Sequence, residues 1–283
     1  MLARVLAIWL AFFPALAFAQ SVTLPGFPPG VFQSRAAIDA PTGGGAYTPQ
    51  GVLFDSTTTA SWTERTSQLI GIADSKVGTF SSWVFFPSGG ASVSVFSQGF
   101  GSGGSQNVLN WSVSNLAASI ALTNSANATI LSFFSATGSV SQNAWHHILM
   151  SWDLSVPVFQ MYIDDVADPS SPTTITNATI NYSSSGGQWF FNIPIGGTND
   201  MAVADTWFDP TSRMDLSVTA NRRKFIDGSG KAVFLGSSGQ LPTGSSPISF
   251  NTGPFGGWNT NLGTGGNYTQ GSGTLAASAT NPP

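Results

Sequence analysis

The stretch Asn143–Val166, NAWHHILMSWDLSVPVFQMYIDDV, decides how the rest of the chain is read. It predicts two strands joined by a short connection. In the first, Trp145–Trp152, side chains alternate between faces. Trp145, His147, Leu149 and Ser151 share one face, and His146, Ile148, Met150 and Trp152 share the other. Both faces carry large apolar groups, so this strand belongs in the middle of a sheet covered on two sides. The second strand, Val158–Ile163, is rich in aromatic and β-branched residues and ends in the turn signal Asp164-Asp165. Pro157 has no N–H to give to a ladder, which places Asp153–Pro157 in the connection.

Short strand signals recur on either side of this pair. Upstream they fall at Gly51–Phe54, Ala60–Thr63, Thr79–Phe86, Ala91–Ser97, Asn107–Val113, Ala118–Thr123 and Thr129–Phe134. Downstream they fall at Thr173–Tyr182, Trp189–Ile193 and Met201–Phe208. In Ala91–Ser97 the alternation puts Val93 and Val95 on one face and Ser94 and Phe96 on the other. Leu69–Val77 reads as a connection, with one helical turn around Ala73, Asp74 and Lys76. Asp215–Ile226 breaks the β pattern. It offers Asp215 or Ser217 as a cap, Arg222-Arg223-Lys224 in its last turns and Gly228 beyond, which are helix start and stop signals. The same basic cluster could hold an anion or a polysaccharide; complementing the helix dipole is the simpler role. Many short strands at hairpin spacing, without strand–helix alternation, predict a sandwich or barrel.

The chain has 283 residues, 41% of them hydrophobic and 12% aromatic, enough for one large core. Charged residues are only 8%, against roughly 25% in ordinary soluble domains. The net charge of -4 and the lack of an extended basic patch argue against nucleic acid as a partner. Cys is absent, which excludes thiol catalysis and Cys-based zinc sites. Arg4, the apolar run Val5–Leu16 and the small residues Ala17 and Ala19 read as a secretory signal cleaved after Ala19. The run is short for a membrane span, which needs roughly 20 residues. Gln20–Gln50 is rich in Pro and Gly and reads as an arm. Lys231–Pro283 is a Gly/Ser-rich strip whose spaced aromatics, among them Phe234, Phe250, Phe255, Trp258 and Tyr268, predict packing along the sandwich or against a partner chain.

Two segments carry a family resemblance. Trp145-His-His-Ile148 followed by Met161-Tyr-Ile-Asp164, and the turn Gly196-Gly197 leading to Ala204-Asp205-Thr-Trp207-Phe208, resemble the LamG-like jelly rolls of the concanavalin A-like lectin/glucanase superfamily. Leu69–Asp74 with Gly78–Trp83 is similar to the entry strands of that superfamily. The tail from Ala220–Ile226 through Leu235, Pro242–Gly244 and Gly265–Thr269 resembles members found in tailed-phage and prophage proteins. The likeness runs over roughly Gly51 to Thr274. It implies a fold more strongly than a function, because this sandwich hosts lectins, adhesion modules, glycosidases and virion modules.

Chemistry narrows those options. Glycoside hydrolysis needs two carboxylates roughly 5–9.5 Å apart, and the glucanases of that superfamily carry Glu-x-Asp-x-x-Glu. This chain has one glutamate, Glu64, with no second carboxylate close by on its strand. Asp164 and Asp165 are consecutive, and Asp200 and Asp205 differ by an odd number, so on regular strands neither pair shares a face. The only histidines, His146 and His147, also point apart and cannot jointly chelate a metal. The simplest reading puts one in the core and one facing solvent or a groove; the abundance of Ser leaves a Ser-His-Asp triad open by count, although no Gly-x-Ser-x-Gly elbow occurs. Calcium is the cofactor the resemblance implies, with Asn199-Asp200 and Asp164-Asp165 as the loop oxygens to inspect. Sugar platforms would come from Trp62, Trp111, Trp189 or Trp258, although most Trp residues sit in strand patterns that predict core. Asn-x-Ser/Thr triplets at Asn110, Asn127, Asn177, Asn181 and Asn267 arise readily in so polar a composition.

The reading is an all-β protein, an antiparallel two-sheet jelly-roll sandwich of concanavalin A-like type with one short helix near 215–226. Residues 1–19 are the signal peptide, 20–50 the arm, 51–230 the sandwich and 231–283 the C-terminal strip on or beside it. The expected function is a secreted (extracellular or periplasmic), non-catalytic, lectin-like module. Its partner is a glycan or a surface protein, with a homo-oligomer as a further partnership, no nucleic acid and no membrane after signal cleavage. A structural module of a virion or cell surface is the alternative, and a glycoside hydrolase the third reading. No catalytic, ligand-binding or metal-binding residue is assigned.

Overall fold

The structure is a computed structural model that describes residues 47–56, 59–87, 93–99, 109–114, 116–194 and 200–283. The signal peptide, most of the arm and the Gly196–Asn199 turn lie outside the described residues. The first half of the chain supplies β1 (Val52–Asp55), β2 (Trp62–Arg65), β3 (Val77–Phe85), β4 (Val93–Gly99), β5 (Leu109–Ser114), β6 (Ala117–Thr123), β7 (Thr129–Phe134) and β8 (Trp145–Asp153). The second half supplies β9 (Val158–Ile163), β10 (Val166–Ala167), β11 (Thr174–Ile175), β12 (Gln188–Pro194), β13 (Met201–Asp209), β14 (Ser249–Asn251), β15 (Thr269–Ser272) and β16 (Thr274–Ala277). A single turn of α-helix, α1, spans Thr219–Arg222. Among the described residues, no helix is long and apolar enough to cross a membrane.

The strands form two antiparallel sheets. One runs β10-β9-β8-β3-β13-β1-β16, with β14 also on β13; the other runs β11-β7-β6-β5-β4-β12-β2-β15. The pair that opened the sequence reading is central: β8 lies between β9 and β3, and its middle residues are buried on both faces. The inner face of its sheet packs on the second sheet around Phe208. That ring lies 5.6 Å from Phe96, 5.7 Å from Trp189, 5.8 Å from Tyr182 and 6.5 Å from Trp152. The outer face is covered by the chain after β13: Leu149 and Trp207 pack with Leu216, Phe225, Leu235 and Phe250, and Trp83 packs with Ile226 and Ala232. This second apolar layer is why β8 and β13 need no polar face.

Two bulges bend the alternation. In β13, Met201 and Val203 enter the inner core, yet so does Phe208, while Trp207 faces outward. One extra residue between Ala204 and Trp207 switches the parity, and Asp205 takes it up at φ 45, a left-handed conformation that Asp tolerates. In β4, Val93, Val95 and Phe96 all join the same core, because the register slips between Ser94 and Phe96. The expected placement of Phe96 opposite Val93 and Val95 is therefore corrected.

Three further expectations change. Thr173–Tyr182 is not one strand; only Thr174–Ile175 pairs, and Ile180 makes an isolated bridge to Ser75. The connection before β3 contains no helical turn at Ala73–Lys76. The helix near 215–226 is confined to Thr219–Arg222, with Val218 as an uncapped start. Asp215 Oδ1 instead accepts from the Ser217 N–H at 3.0 Å and its hydroxyl at 2.7 Å, a local turn that competes with helix. The C-terminal strip completes both sheets of its own chain. β14 pairs β13, β15 extends the second sheet beside β2, and β16 extends the first beside β1. Gly273, at φ 63, turns the chain between them where a Cβ would lie 2.6 Å from Ser61.

Candidate functional site

The β9–β10 hairpin closes on Asp164-Asp165, both at positive φ (51 and 65), as a two-residue primed turn requires. Each carboxylate is claimed by a different partner. Asp164 Oδ2 lies 2.6 Å from His146 Nδ1, and its Oδ1 accepts the His147 N–H at 2.7 Å. Asp165 pairs with Arg222 at 2.6 Å and Arg223 at 2.7 Å, which hold its carboxyl below the usual range, the Arg223 hydrogen bond most. Arg222 also stacks over Tyr162, 4.5 Å from the ring centroid. Lys224 Nζ donates to the Pro242 carbonyl at 2.8 Å. The two arginines of the basic cluster thus pin α1 to the hairpin through the Asp165 carboxylate.

Two buried titratable groups flank β3. Asp205 accepts from Tyr47 at 2.8 Å and Thr252 at 2.6 Å, and burial, only partly offset by these hydroxyls, raises its carboxyl to about 6. Burial also pushes the Tyr47 phenol up, with Asp205 adding to the effect. His147 is 1% exposed beside Ser81 Oγ at 2.9 Å and the Trp83 ring at 4.9 Å. Burial lowers it to about 4, against the pull of Asp164 and Asp165. It is therefore a neutral core histidine, and His146, with 12% of its side chain exposed, is the one at the rim.

An open cleft of about 390 Å³ lies between the loop leaving β13, α1 and residues 242–245, within the roughly 300–1,000 Å³ range of ligand pockets. Its walls are set by local turns. Asp209 ends β13 by accepting from Thr211 N–H and hydroxyl at 2.8 and 2.6 Å and from the Ser212 hydroxyl at 2.9 Å. Gln160 of β9 reaches across: its Oε1 accepts from Leu216 N–H at 2.8 Å and Arg213 at 3.2 Å, and its Nε2 donates to Asp215 at 3.1 Å. Asn221 Nδ2 donates to the Asp215 carbonyl at 2.9 Å. Among the described residues, these bonds leave the second Asp215 oxygen, Asn221 Oδ1 and further Lys224 protons without a partner. Acceptors and a cationic donor lining one cleft suit the paired hydroxyls of a sugar. Among the described residues, no aromatic residue lines the cleft.

The two carboxylates lining the cleft, Asp209 and Asp215, are both held in local turns. Both Asp209 oxygens are engaged by its own turn, and Asp215 is held below the usual carboxylate range by the Ser217 hydroxyl and then Gln160. Asp215 is thereby held in its ionised form, the opposite of what a general acid needs. Glu64 sits elsewhere, on β2, 3.3 Å from Trp62 Nε1. Among the described residues, the loop carboxylates expected for calcium already have partners. Asp165 is already neutralised by two guanidinium groups, Asp164 faces a histidine, and Asp200 accepts the Ser56 N–H at 2.7 Å; Asn199 lies outside the described residues. Of the expected sugar platforms, Trp189 and Trp258 are 0% exposed core residues, Trp62 is half-buried, and the Trp111 side chain lies outside the described set. The sequence reading named Lys224 within a basic cluster able to hold a polysaccharide but could not see the cleft, because its lining is brought together from three separated segments.

No family model and no curated protein matches this sequence. Solved structures do match. A protein from Bacteroides ovatus, proposed to bind carbohydrate, aligns at TM-score 0.54 with 10% identity, over 83% of this chain and 62% of that one. A heptameric SAP-like pentraxin from Limulus polyphemus aligns at 0.42 with 12% identity, over 61% and 81%. The receptor-binding domain of botulinum neurotoxin D aligns at 0.43 with 9% identity, over 59% and 42%. With the two-sheet topology above, the likeness to the Bacteroides structure identifies this chain's fold as the antiparallel jelly-roll sandwich.

Proposed function

We propose that this chain is a secreted carbohydrate-recognition module of LamG-like type that binds glycan in the cleft and leaves the glycosidic bond intact. The observation that carries the reading is the cleft itself: Asp215, Asn221 and Lys224 present two acceptors and a donor on walls fixed by Gln160 and the Asp209 turn. The shared fold with a protein proposed to bind carbohydrate supports it. Secretion rests on the Arg4–Ala19 sequence alone. A glycan-array screen of the full chain, run with calcium and again with chelator, tests the reading. Specific binding that persists with chelator is expected, because the loop carboxylates are already occupied. Silence in both conditions refutes it and moves the assignment to an assembly module.

A further inference from the structure

We propose that Ser141, His146 and Asp164 form a hydrolytic relay at the rim of the sandwich that acts on activated esters of small carboxylic acids. This goes beyond glycan recognition and uses none of the cleft residues. The three residues come from three elements: the loop before β8, the start of β8 itself, and the β9–β10 hairpin. The β8–β9 register brings them together. Ile148 pairs with Ile163, so the hairpin turn falls beside His146 and His147.

The distances match the connectivity of an acyl-transfer triad. Ser141 Oγ lies 2.9 Å from His146 Nε2, and His146 Nδ1 lies 2.6 Å from Asp164 Oδ2. The other Asp164 oxygen is fixed by the His147 N–H at 2.7 Å, which orients the carboxylate. A further contact settles the tautomer. The Ser141 backbone N–H points at the same Nε2 at 3.0 Å. An amide N–H is only a donor, so Nε2 carries the lone pair and the ring proton sits on Nδ1 facing Asp164. That is the form able to take the hydroxyl proton. The turn is held from behind by Arg222 and Arg223 through Asp165. Ser141 is exposed, so an ester reaches its oxygen without any opening of the fold.

In the first step Ser141 Oγ bonds to the ester carbonyl carbon and its proton passes to His146 Nε2, displacing the amide from that lone pair. The carbon–oxygen bond to the leaving alcohol then breaks, and the alcohol oxygen takes the proton from Nε2. Water attacks the resulting acyl-serine, gives a proton to Nε2 and releases the carboxylic acid as Ser141 Oγ regains that proton. Nothing is oxidised or reduced. Ser141 and His146 are the catalytic residues, and Asp164 is a positioning residue. The open rim limits the reaction to activated esters, whose leaving groups need little help.

The test uses the full chain with a fluorophosphonate probe and with p-nitrophenyl acetate. Stoichiometric labelling mapped to Ser141 is expected, abolished in Ser141→Ala, with ester turnover at least 100-fold slower in His146→Gln. Asp164→Asn keeps an acceptor for the His147 N–H and is expected to lower kcat while leaving KM unchanged. Urea unfolding of each variant shows that the fold is retained, which exposed Ser141→Ala guarantees for at least one. Absent labelling, labelling that survives Ser141→Ala, or wild-type turnover in His146→Gln overturns the proposal. Glycan binding by Ser141→Ala is expected to equal wild type, so failure here leaves the cleft reading standing.

Discussion

Asp205→Asn separates two buried ionisations that oppose each other. Asp205 titrates near 6 in the folded protein against an ordinary 3.8. Between those values the folded state holds a proton that the unfolded chain has released, so this group's contribution to stability is highest below pH 4 and is lost as pH rises through 6. At 1.36 kcal/mol per pH unit the loss is about 3 kcal/mol. His147 behaves in reverse, titrating near 4 against 6.5. The unfolded chain takes up its proton first on acidification, so this contribution is present above pH 6.5 and is lost towards pH 4, again by about 3 kcal/mol. In the wild type the two slopes largely cancel over that window. Asn suits the left-handed backbone at this position and keeps an oxygen for Thr252, while its amide can donate to the Tyr47 hydroxyl. Replacing Asp205 by Asn therefore removes one slope and exposes the other. Urea unfolding followed by Trp fluorescence at pH 4, 5, 6 and 7 is the assay. The stability of Asp205→Asn relative to wild type is expected to improve by about 2 kcal/mol from pH 4 to pH 7. A difference that stays constant across this range would refute the reasoning.

Other perturbations read other parts of the account. A Cβ at Gly78 would lie 2.4 Å from the Trp152 ring, so Gly78→Ala is expected to cost about 1–3 kcal/mol in urea unfolding. Phe208→Ala empties the contact point of five aromatic side chains and is expected to cost about 3–5 kcal/mol by the same assay. Arg222→Ala removes the bonds to Asp165 and the Leu216 carbonyl, and a loss of about 1–3 kcal/mol is expected, with Arg222→Lys recovering only part. Gln160→Ala frees the cleft wall at Leu216 and Arg213 and is expected to weaken glycan binding, measured by titration, although Gln160 is not a lining residue.

The central strand pair was legible because Ile148, Leu149, Met150 and Trp152 put large apolar groups on both faces of the middle of β8, as a strand buried on two sides does. Asp164-Asp165 was legible as a turn because few residues other than Gly, Asn and Asp accept two successive positive φ values. The parity switch in β13 was not, because MAVADTWF gives no local sign that Asp205 is the extra residue; the switch is decided by where β3 and β14 pair. Phe96 was misplaced for the same reason at the β4 bulge. Asp215 and Ser217 looked like caps, and the side chain that would cap a helix instead closes its own turn. The contacts of His146 depend on the β8–β9 register together with the path of the loop at Ser141, and no residue spacing encodes both. The cleft is still less local, since residues from 209 to 245 meet only after the outer layer has folded over β8 and β13.

The most direct test of glycan recognition in the cleft is a calorimetric titration of the strongest array oligosaccharide into the wild-type chain and into Asn221→Ala. Asn221 lines the cleft, and among the described residues its side chain makes a single hydrogen bond, the donation of Nδ2 to the Asp215 carbonyl. The expected result is saturable binding by wild type and affinity weakened by about tenfold, or 1.4 kcal/mol, in the variant with its urea midpoint preserved. Equal affinity of the two proteins would contradict the account and place any sugar-binding surface elsewhere on the sandwich.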